Sequence, residues 1–343
     1  MSEDALQRVL VVGPAWVGDM VMAQSLFKLL HETRPGVEVD VLAPAWSAPL
    51  LARMPELRYT VTLPVGHGRL GLRTRWRLGR QSRRRDYQQA IVIPRSWKSA
   101  LVPLLARVPR RTGYRGEHRY GLLNDIRPLD RELLRQTVQR YNALGLPPDA
   151  TLPPPVPYPA LQIDSHNRAR LVETLGLDTS RPVVAFMPGA EYGPAKQWPL
   201  AHFAELAGRL ARAGRQVWIL GSQKDRAAAE TISTSINQSA PVNLCGRTRL
   251  EDAIDLLSLC AAAVSNDSGL MHVAAAVGVP VVGIYGSSTP DYTPPLTARA
   301  AVLYRGLECS PCFRRTCRYG HTECLTGISA SEAVEALENL MEG

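Results

Sequence analysis

The chain has 343 residues, more than one hydrophobic core usually serves, so two domains are expected. It is 45% hydrophobic and 21% charged, as in globular proteins, and it contains no apolar run long enough to span a bilayer. The first residues show no apolar signal region, and six cysteines in a chain of this length do not indicate a secreted disulfide scaffold. We therefore expect a cytoplasmic protein.

The net charge of +9 is unevenly distributed, with +11 in residues 1–155 and −2 in residues 156–343. Between Leu57 and Arg85 there are nine arginines and no acidic residue. A basic half favours an anionic partner such as nucleic acid, a lipid headgroup or a phosphorylated sugar. The alternative is that most of these arginines lie on solvated helix faces, since the whole chain prefers arginine to lysine, 36 to four.

Apolar patterning in the first half predicts a βαβ unit. The predicted elements are strands at 8–13, 37–43 and 90–94 and a helix at 19–32. Such a unit implies a parallel sheet with helices on its faces. Seven prolines between 147 and 159 exclude a helix or a central strand there, so this segment is predicted to be an interdomain linker.

The second half repeats the same plan. The predicted elements are strands at 182–187, 216–221, 261–264 and 279–285 and helices at 200–213, 250–260 and 270–277. A capping box at 329–332 opens a last helix, which we expect to pack back toward the first half. We predict two doubly wound α/β domains, 1–155 and 160–328, facing a central cleft. Ligands of such folds bind at the carboxyl ends of the strands.

Residues 265–272, Ser-Asn-Asp-Ser-Gly-Leu-Met-His, carry the strongest functional signal. The turn at 267–269 stands between a predicted strand and a predicted helix. It would present free N–H groups and the positive end of a helix dipole, which together form an anion site. His272 can add a donor or a positive charge. The alternative is that Asp267 or Ser268 only caps the helix.

Three further positions follow predicted strands. Asp19 opens the first helix, where a carboxylate can accept a proton from a substrate hydroxyl, although an ordinary helix cap is equally consistent. Lys196 lies in a Gly/Pro-rich loop and suits phosphate contact, with a surface lysine as the alternative. Asp225, after Gly221, could hold a ribose hydroxyl. Neither G-x-G-x-x-G nor a P-loop is present, which disfavours a nicotinamide enzyme.

Four cysteines near the end of the chain follow the spacing C-x₂-C-x₄-C-x₆-C. They are Cys309, Cys312, Cys317 and Cys324. Four thiolates in a cytosolic chain could form a structural zinc site, and free thiols are the alternative. No catalytic metal site is evident in the sequence.

Several blocks of sequence resemble the ADP-heptose:lipopolysaccharide heptosyltransferases of glycosyltransferase family 9, and within them the type II enzymes. The blocks are 13–25, 64–68, 112–125, 188–199, 266–272 and 285–295, and the resemblance covers nearly the whole chain. It implies the GT-B fold, with an acceptor-binding first half and a nucleotide-sugar-binding second half. It also implies inverting transfer of heptose from ADP-heptose to the first heptose of a Kdo–lipid A acceptor, with Asp19 as general base and no cofactor.

The resemblance further implies two sets of binding residues. Donor contacts are expected from Gly189, Lys196, Gly221, Asp225, Asp267, Ser268, Gly269, Leu270 and His272. Acceptor contacts are expected from Trp16, Gly18, His67, Lys98, Arg115 and Arg119. The basic first half would then meet the anionic acceptor at the cytoplasmic face of the inner membrane, as a peripheral protein, and the arginines from 69 to 85 would steer it there.

Three other functions stay open at this point. A heptosyltransferase of type I has the same chemistry, and a nucleotide-sugar epimerase has a similar architecture but needs no large basic acceptor surface. A nucleic-acid binder would explain the arginines, but the sequence offers no recognition helix and no interleaving of aromatic and basic residues.

Overall fold

The computed structural model describes residues 7–66, 68–236 and 240–342. The chain divides into two compact units, Met1–Pro159 and Ala160–Gly343, and the boundary falls at the end of the proline-rich segment. Each unit is built on one six-stranded sheet with helices. No helix in the described part of the chain combines the length and the apolar character that crossing a membrane requires.

The first unit alternates strands and helices. Its strands are β1 (Arg8–Val12), β2 (Glu38–Pro44), β3 (Leu57–Leu63), β4 (Gln89–Val92), β5 (Arg110–Tyr114) and β6 (Asp125–Arg127). Its helices are α1 (Val17–Thr33), α2 (Ala48–Leu51), α3 (Leu72–Ser82), α4 (Leu101–Leu105) and α5 (Thr137–Gly145). The predicted βαβ unit is therefore confirmed as β1, α1 and β2.

The strands of the first sheet run parallel in the order β3-β2-β1-β4-β5-β6. In register, Val9 of β1 lies opposite Val39 on one side and Gln89 on the other. Because helices cover both faces of such a sheet, β1 is a continuous apolar run, and Leu10 and Val11 are fully buried. The strand order reverses between β1 and β4, which places an opening at their carboxyl ends.

The second unit follows the same plan. Its strands are β7 (Val183–Met187), β8 (Gln216–Ile219), β9 (Val242–Asn243), β10 (Ala262–Asn266), β11 (Val281–Tyr285) and β12 (Ala300–Tyr304). Its helices are α6 (Ser165–Leu175), α7 (Leu200–Arg212), α8 (Arg226–Thr234), α9 (Leu250–Leu257), α10 (Gly269–Ala276), α11 (Glu323–Thr326) and α12 (Ala330–Glu342). The parallel order is β12-β11-β10-β7-β8-β9, so here the reversal lies between β10 and β7.

The last helix, α12, begins at the predicted capping box. Glu332 accepts hydrogen bonds from the Ser329 N–H and hydroxyl at 2.9 Å each. The apolar side of α12 is covered by α7 and by strands of the second sheet, and Ala333 and Leu337 belong to the core of that unit. The small and apolar residues of α12 thus complete the second core, and the expected return of this helix toward the first half stays a prediction.

Candidate active site

The loops after β7 and β10 carry Lys196 and Asp267, at the point where the order of the second sheet reverses. Asn266 at the end of β10 joins the two loops. Its amide donates to the Pro188 carbonyl at 2.6 Å, and its oxygen accepts the Trp198 N–H at 3.0 Å. These buried hydrogen bonds fix the two loops against each other at the carboxyl edge of the sheet, where ligands of this class of fold bind.

Asp267 is the centre of this edge and is almost completely buried. Its carboxylate accepts from Lys196 Nζ at 2.5 Å, from the Ser288 hydroxyl at 2.5 Å and from the Thr293 hydroxyl at 3.4 Å. Ser268 stands at the cap position of α10, but its side chain makes no capping hydrogen bond. The interpretation of these two residues as simple helix caps is therefore wrong.

Lys196 is not a surface lysine, since only 17% of its side chain is exposed. It ends a single 3₁₀ turn, Pro194–Lys196, and its ammonium nitrogen lies 5.3 Å from the centre of the Tyr192 ring. The loop after β11 supports this turn, because the Ser287 N–H donates to the Ala195 carbonyl at 3.2 Å. An ammonium group has three donors, so the ion pair with Asp267 leaves donors that can meet a ligand.

His272 lies in the first turns of α10 and is buried. Burial lowers the pKa of its imidazole to about 4, against the opposing attraction of Asp267 and with a further lowering by Lys196. The imidazole is therefore neutral at pH 7, which favours the hydrogen-bond donor over the positive charge among its two predicted roles. In the described part of the chain nine buried side-chain atoms lack a hydrogen-bond partner, and two of them, His272 Nδ1 and the Ser287 hydroxyl, belong to the loops and helix at this edge. A ligand bound at the edge would supply these two with partners.

Gly189, Gly221 and Asp225 come together at the carboxyl ends of β7 and β8. Asp225 accepts from the N–H and the hydroxyl of Ser222 at 2.8 Å each, so its carboxylate caps its own turn. A Cβ atom at position 189 would lie 2.5 Å from Asp225 Oδ1, and one at position 221 would lie 2.9 Å from the same side chain. Both positions therefore require glycine for this close approach. A contact of Asp225 with a ribose remains a prediction.

The first unit has a pocket of about 580 Å³ at the carboxyl edge of its sheet. Gly13 after β1 and Pro94 after β4 form part of its wall, so the pocket lies at the point where the strand order reverses. Three cationic side chains contribute to the lining: Arg69, Arg75 and Lys98. The pocket thus combines apolar walls with positive charge, as a site for an anionic sugar requires.

Asp19 lies in the first turn of α1, on the chain segment that follows the pocket residues Gly13 and Ala15. Its carboxylate is half-buried and accepts a hydrogen bond from the Tyr141 hydroxyl at 2.6 Å. Trp16 stands at the cap position of α1 with 46% of its surface exposed, and Gly18 is buried. Tyr141 was not predicted, because 122 residues separate it from Asp19 and no local pattern connects them.

Two residues that were predicted to contact the acceptor, Lys98 and Arg115, are accessible to a ligand in the first unit. Lys98 lines the pocket, and its Nζ donates to the Gly68 carbonyl at 3.1 Å. Arg115 is exposed, and its Nε donates to the Tyr120 hydroxyl at 3.0 Å. His67, the other residue predicted in this region, lies outside the described residues.

Arg119 is only 1% exposed, in contrast to the expected role in gripping the acceptor. Its guanidinium donates to the carbonyls of Pro94 at 2.6 Å and Tyr114 at 2.5 Å. Burial lowers the pKa of this guanidinium to about 10. Arg119 therefore braces the loops after β4 and β5 from inside, and it does not present its charge to a ligand.

The four cysteines near the end of the chain are free thiols. The described residues contain no group of three or more His, Cys, Asp or Glu side chains that could hold a metal ion. A structural zinc site at the four cysteines stays a prediction. Cys324 packs into the core of the second unit, which raises the pKa of its thiol. Cys317 is half-buried, and the backbone N–H of Thr322 is the first of several that lower its pKa.

Comparison with known proteins assigns this fold and these loops to a class. The sequence profile of "Glycosyltransferase family 9 (heptosyltransferase)" matches residues 75–323. The solved structure of Escherichia coli ADP-heptose lps heptosyltransferase II is 42% identical, and the match covers 98% of this chain and 99% of that chain with a TM-score of 0.86. The protein is therefore a glycosyltransferase, and the expected GT-B class of fold is confirmed.

Curated relatives agree over nearly the whole length. Lipopolysaccharide heptosyltransferase 2 of Salmonella typhimurium is 43% identical, over 97% of this chain and 98% of the relative. Lipopolysaccharide heptosyltransferase 2 of Escherichia coli is 44% identical over the same shares of the two chains. The chain belongs to glycosyltransferase family 9.

Proposed function

We propose that this enzyme transfers L-glycero-D-manno-heptose from ADP-heptose to the first heptose of the lipopolysaccharide inner core. The relatives that match it over nearly their full length carry the name heptosyltransferase 2. The structural observation that carries the proposal is the buried pair of Lys196 and Asp267 at the reversal point of the second sheet, beside the start of α10.

The donor would bind through its diphosphate at this edge. The remaining N–H donors of Lys196 and the backbone N–H groups at Gly269 and Leu270 suit the phosphate oxygens. Neutral His272 supports this charge with a hydrogen bond rather than with a cation. Asp225, held close to Gly189, would accept from a ribose hydroxyl.

The chemistry would be a single inverting displacement. A hydroxyl oxygen of the acceptor heptose attacks the anomeric carbon of the donor, and the bond from that carbon to the phosphate oxygen breaks. Asp19 takes the proton of the attacking hydroxyl, while the electron pair of the broken bond leaves with ADP. The developing negative charge on ADP meets Lys196 and the N–H groups of α10. Tyr141 keeps the Asp19 carboxylate in place through its hydrogen bond.

The acceptor would bind in the first unit. The pocket cations Arg69, Arg75 and Lys98, together with the exposed Arg115, suit the carboxylates of Kdo and the phosphates of lipid A. A lipid-anchored acceptor lies at the inner membrane, so we place the enzyme at the cytoplasmic face of that membrane as a peripheral protein. Nucleic acid is not part of this proposal.

A transfer assay tests the function. Purified enzyme is incubated with ADP-heptose and with two lipopolysaccharide acceptors, one lacking the second heptose and one lacking both. We expect transfer to the first acceptor only, with release of ADP that depends on the acceptor. Transfer only to the acceptor lacking both heptoses would identify a type I enzyme. Turnover of donor without any acceptor would favour an epimerase.

A further inference from the structure

Three arginines of the arginine-rich segment, residues 57–85, make polar contacts with other residues of the first unit. Arg58 pairs with Asp40, and Arg83 donates to the Leu105 carbonyl. Arg75 is buried and donates to the carbonyls of Leu70 and Lys98. These contacts tie the three arginines to the fold of the first unit.

Four of the remaining arginines form one exposed face of α3 and the turn after it, whereas Arg85 pairs with Asp40 at 3.6 Å and Arg69 lies before the helix. Arg73, Arg77, Arg80 and Arg84 are exposed and are spaced four, three and four residues apart, as positions on one side of a helix are. Two large apolar side chains of the same helix are exposed as well, Leu72 at 55% and Trp76 at 52%. The Arg80 guanidinium lies 4.9 Å above the Trp76 ring. We call these six residues the arginine–tryptophan face.

The opposite side of α3 holds the helix firmly on the unit. A Cβ atom at Gly79 would lie 2.4 Å from the Leu105 side chain, so α3 packs closely on α4. Arg75 fastens the first turn from inside through the two carbonyl contacts described above. The arginine–tryptophan face is therefore presented on a fixed support.

We propose that the arginine–tryptophan face docks the enzyme on an anionic phospholipid bilayer, with the arginines on the headgroup phosphates and with Trp76 and Leu72 in the interfacial layer. A basic helix with exposed aromatic and aliphatic side chains among its cations is typical of a surface-bound membrane helix. Tryptophan rings favour the interface because one part of the ring system is apolar and the indole N–H is polar.

The position of this face relative to the pocket supports a membrane rather than a nucleic acid. Arg69 and Arg75 line the pocket, and Arg75 belongs to α3, so this helix borders the pocket directly. Under the proposed function, on which this step rests, a bilayer at α3 brings a lipid-anchored acceptor next to the pocket. The phosphate backbone of DNA offers no apolar layer for Trp76 and Leu72.

Vesicle flotation of the full-length protein tests the docking directly. The vesicles consist of phosphatidylcholine alone or of phosphatidylcholine mixed with phosphatidylglycerol. The test variant is Arg73→Gln/Arg77→Gln/Arg84→Gln, and the matched control, with the same charge change in the second unit, is Arg212→Gln/Arg247→Gln/Arg299→Gln. We expect the test variant to bind the anionic vesicles about 100-fold more weakly and the control to bind like wild type. Equal losses in both variants would overturn the proposal, as would wild-type binding to duplex DNA but not to vesicles.

A second measurement follows the tryptophan itself. Brominated lipids quench a tryptophan that enters the interface. We expect this quenching in the wild type and in Trp97→Phe, and a clear loss of it in Trp76→Phe. Quenching that is unchanged in Trp76→Phe would contradict insertion at α3.

Activity separates this inference from the proposed function. The arginine test variant should match wild type with a soluble, deacylated acceptor and should lose most of its transfer when the acceptor is embedded in anionic vesicles. If wild type transfers to neither acceptor, the proposed function fails while flotation still decides the docking. If the variant loses transfer equally on both acceptors, these arginines act in the pocket and the docking proposal is wrong.

Discussion

In the second unit the central charged pair of the site, Lys196 and Asp267, is buried, whereas in the first unit the cations of the site lie at the surface or bind backbone carbonyls. Asp267 is 5% exposed and is bound by Lys196 and Ser288. In the first unit, the guanidinium of Arg119 donates hydrogen bonds to backbone carbonyls, and Arg73 is exposed to solvent. Cationic side chains therefore pair with a buried carboxylate in the second unit, and they contact carbonyls or solvent in the first.

This contrast has an energetic reason. A buried charge pair has already lost its hydration, so a ligand that completes it meets fixed dipoles with little further reorganisation. Exposed cations keep their water and are screened over about 8 Å at physiological ionic strength, so they attract a charged surface without fixing one geometry. Substitutions of site residues in the second unit should therefore change the affinity for the donor. Substitutions of site residues in the first unit should change the KM for the acceptor or the rate of transfer.

The largest expected effect belongs to the first unit and tests where the chemistry lies. Asp19→Asn keeps the size of the side chain and removes its basicity, so we expect the rate of transfer to fall by about 10²–10⁴-fold. Calorimetry should show ADP-heptose affinity close to wild type. Asp149→Asn, an exposed substitution in the same unit, serves as control. An Asp19→Asn enzyme with more than half of wild-type turnover would remove Asp19 from the role of base.

The next effect belongs to the second unit. Lys196→Met removes a charge-assisted contact and leaves Asp267 without its cation, so we expect ADP to bind with about 1.5–3 kcal/mol less free energy. Lys224→Met is the matched control, because the ammonium of Lys224 pairs with Glu191 at 2.5 Å but is exposed, and such pairs contribute about 1 kcal/mol or less. Equal ADP affinity in wild type and Lys196→Met would exclude Lys196 from the donor site.

Substitutions of the two arginines that were predicted to bind the acceptor should have different effects. Arg119→Gln removes two buried hydrogen bonds from a charged group, so we expect the free energy of unfolding to fall by about 1.5–3 kcal/mol. Arg115→Gln should change stability by about 0.5 kcal/mol or less and should raise the KM for the acceptor more than that for the donor. Urea unfolding and steady-state kinetics provide the two readouts. An unchanged acceptor KM in Arg115→Gln would make Arg115 an ordinary surface residue.

These predictions also show what the sequence could reveal. The β1–α1–β2 unit and the strand that leads to Asp267 were predictable because parallel sheets make continuous apolar strands with periodic helices between them. The short β9 and the edge strand β6 were not predicted, because two or three residues carry no readable period. Local motifs identified Asp267 and Lys196 but not their ion pair, since a separation of 71 positions in sequence leaves no pattern that specifies contact.

The arginine-rich segment, residues 57–85, was only partly predictable from the sequence. Its composition correctly indicated a basic surface in the first half. The composition could not show that Arg75 is buried whereas Arg73, two residues earlier, is exposed. The charge of His272 was likewise unpredictable, because the desolvation that keeps the imidazole neutral comes from tertiary packing.

Burial of His272 makes the stability of the second unit dependent on pH. The pKa of the imidazole falls from its ordinary value of 6.5 to about 4 on folding, so the unfolded chain binds the proton more tightly between these values. Stability is therefore lost as the pH falls below about 6.5, and from about pH 7 to about pH 5 we expect a loss of roughly 2 kcal/mol from this group. His272→Gln should lack this component in urea unfolding at the two pH values. The same pH dependence in both proteins would show that His272 is not the group responsible.

The smallest expected effect concerns the residue that holds the proposed base. Tyr141→Phe removes the hydrogen bond to Asp19 and leaves the ring in place, and a single hydrogen bond contributes about 0.5–1.5 kcal/mol, or roughly 2–10-fold in rate. Because Tyr141 acts through Asp19 and lies in the first unit, the loss should appear in kcat, with the KM for ADP-heptose unchanged. In the background of Asp19→Asn, where no base remains to be positioned, the same substitution should have little further effect. Additive losses in the double variant would show that Tyr141 acts independently of Asp19.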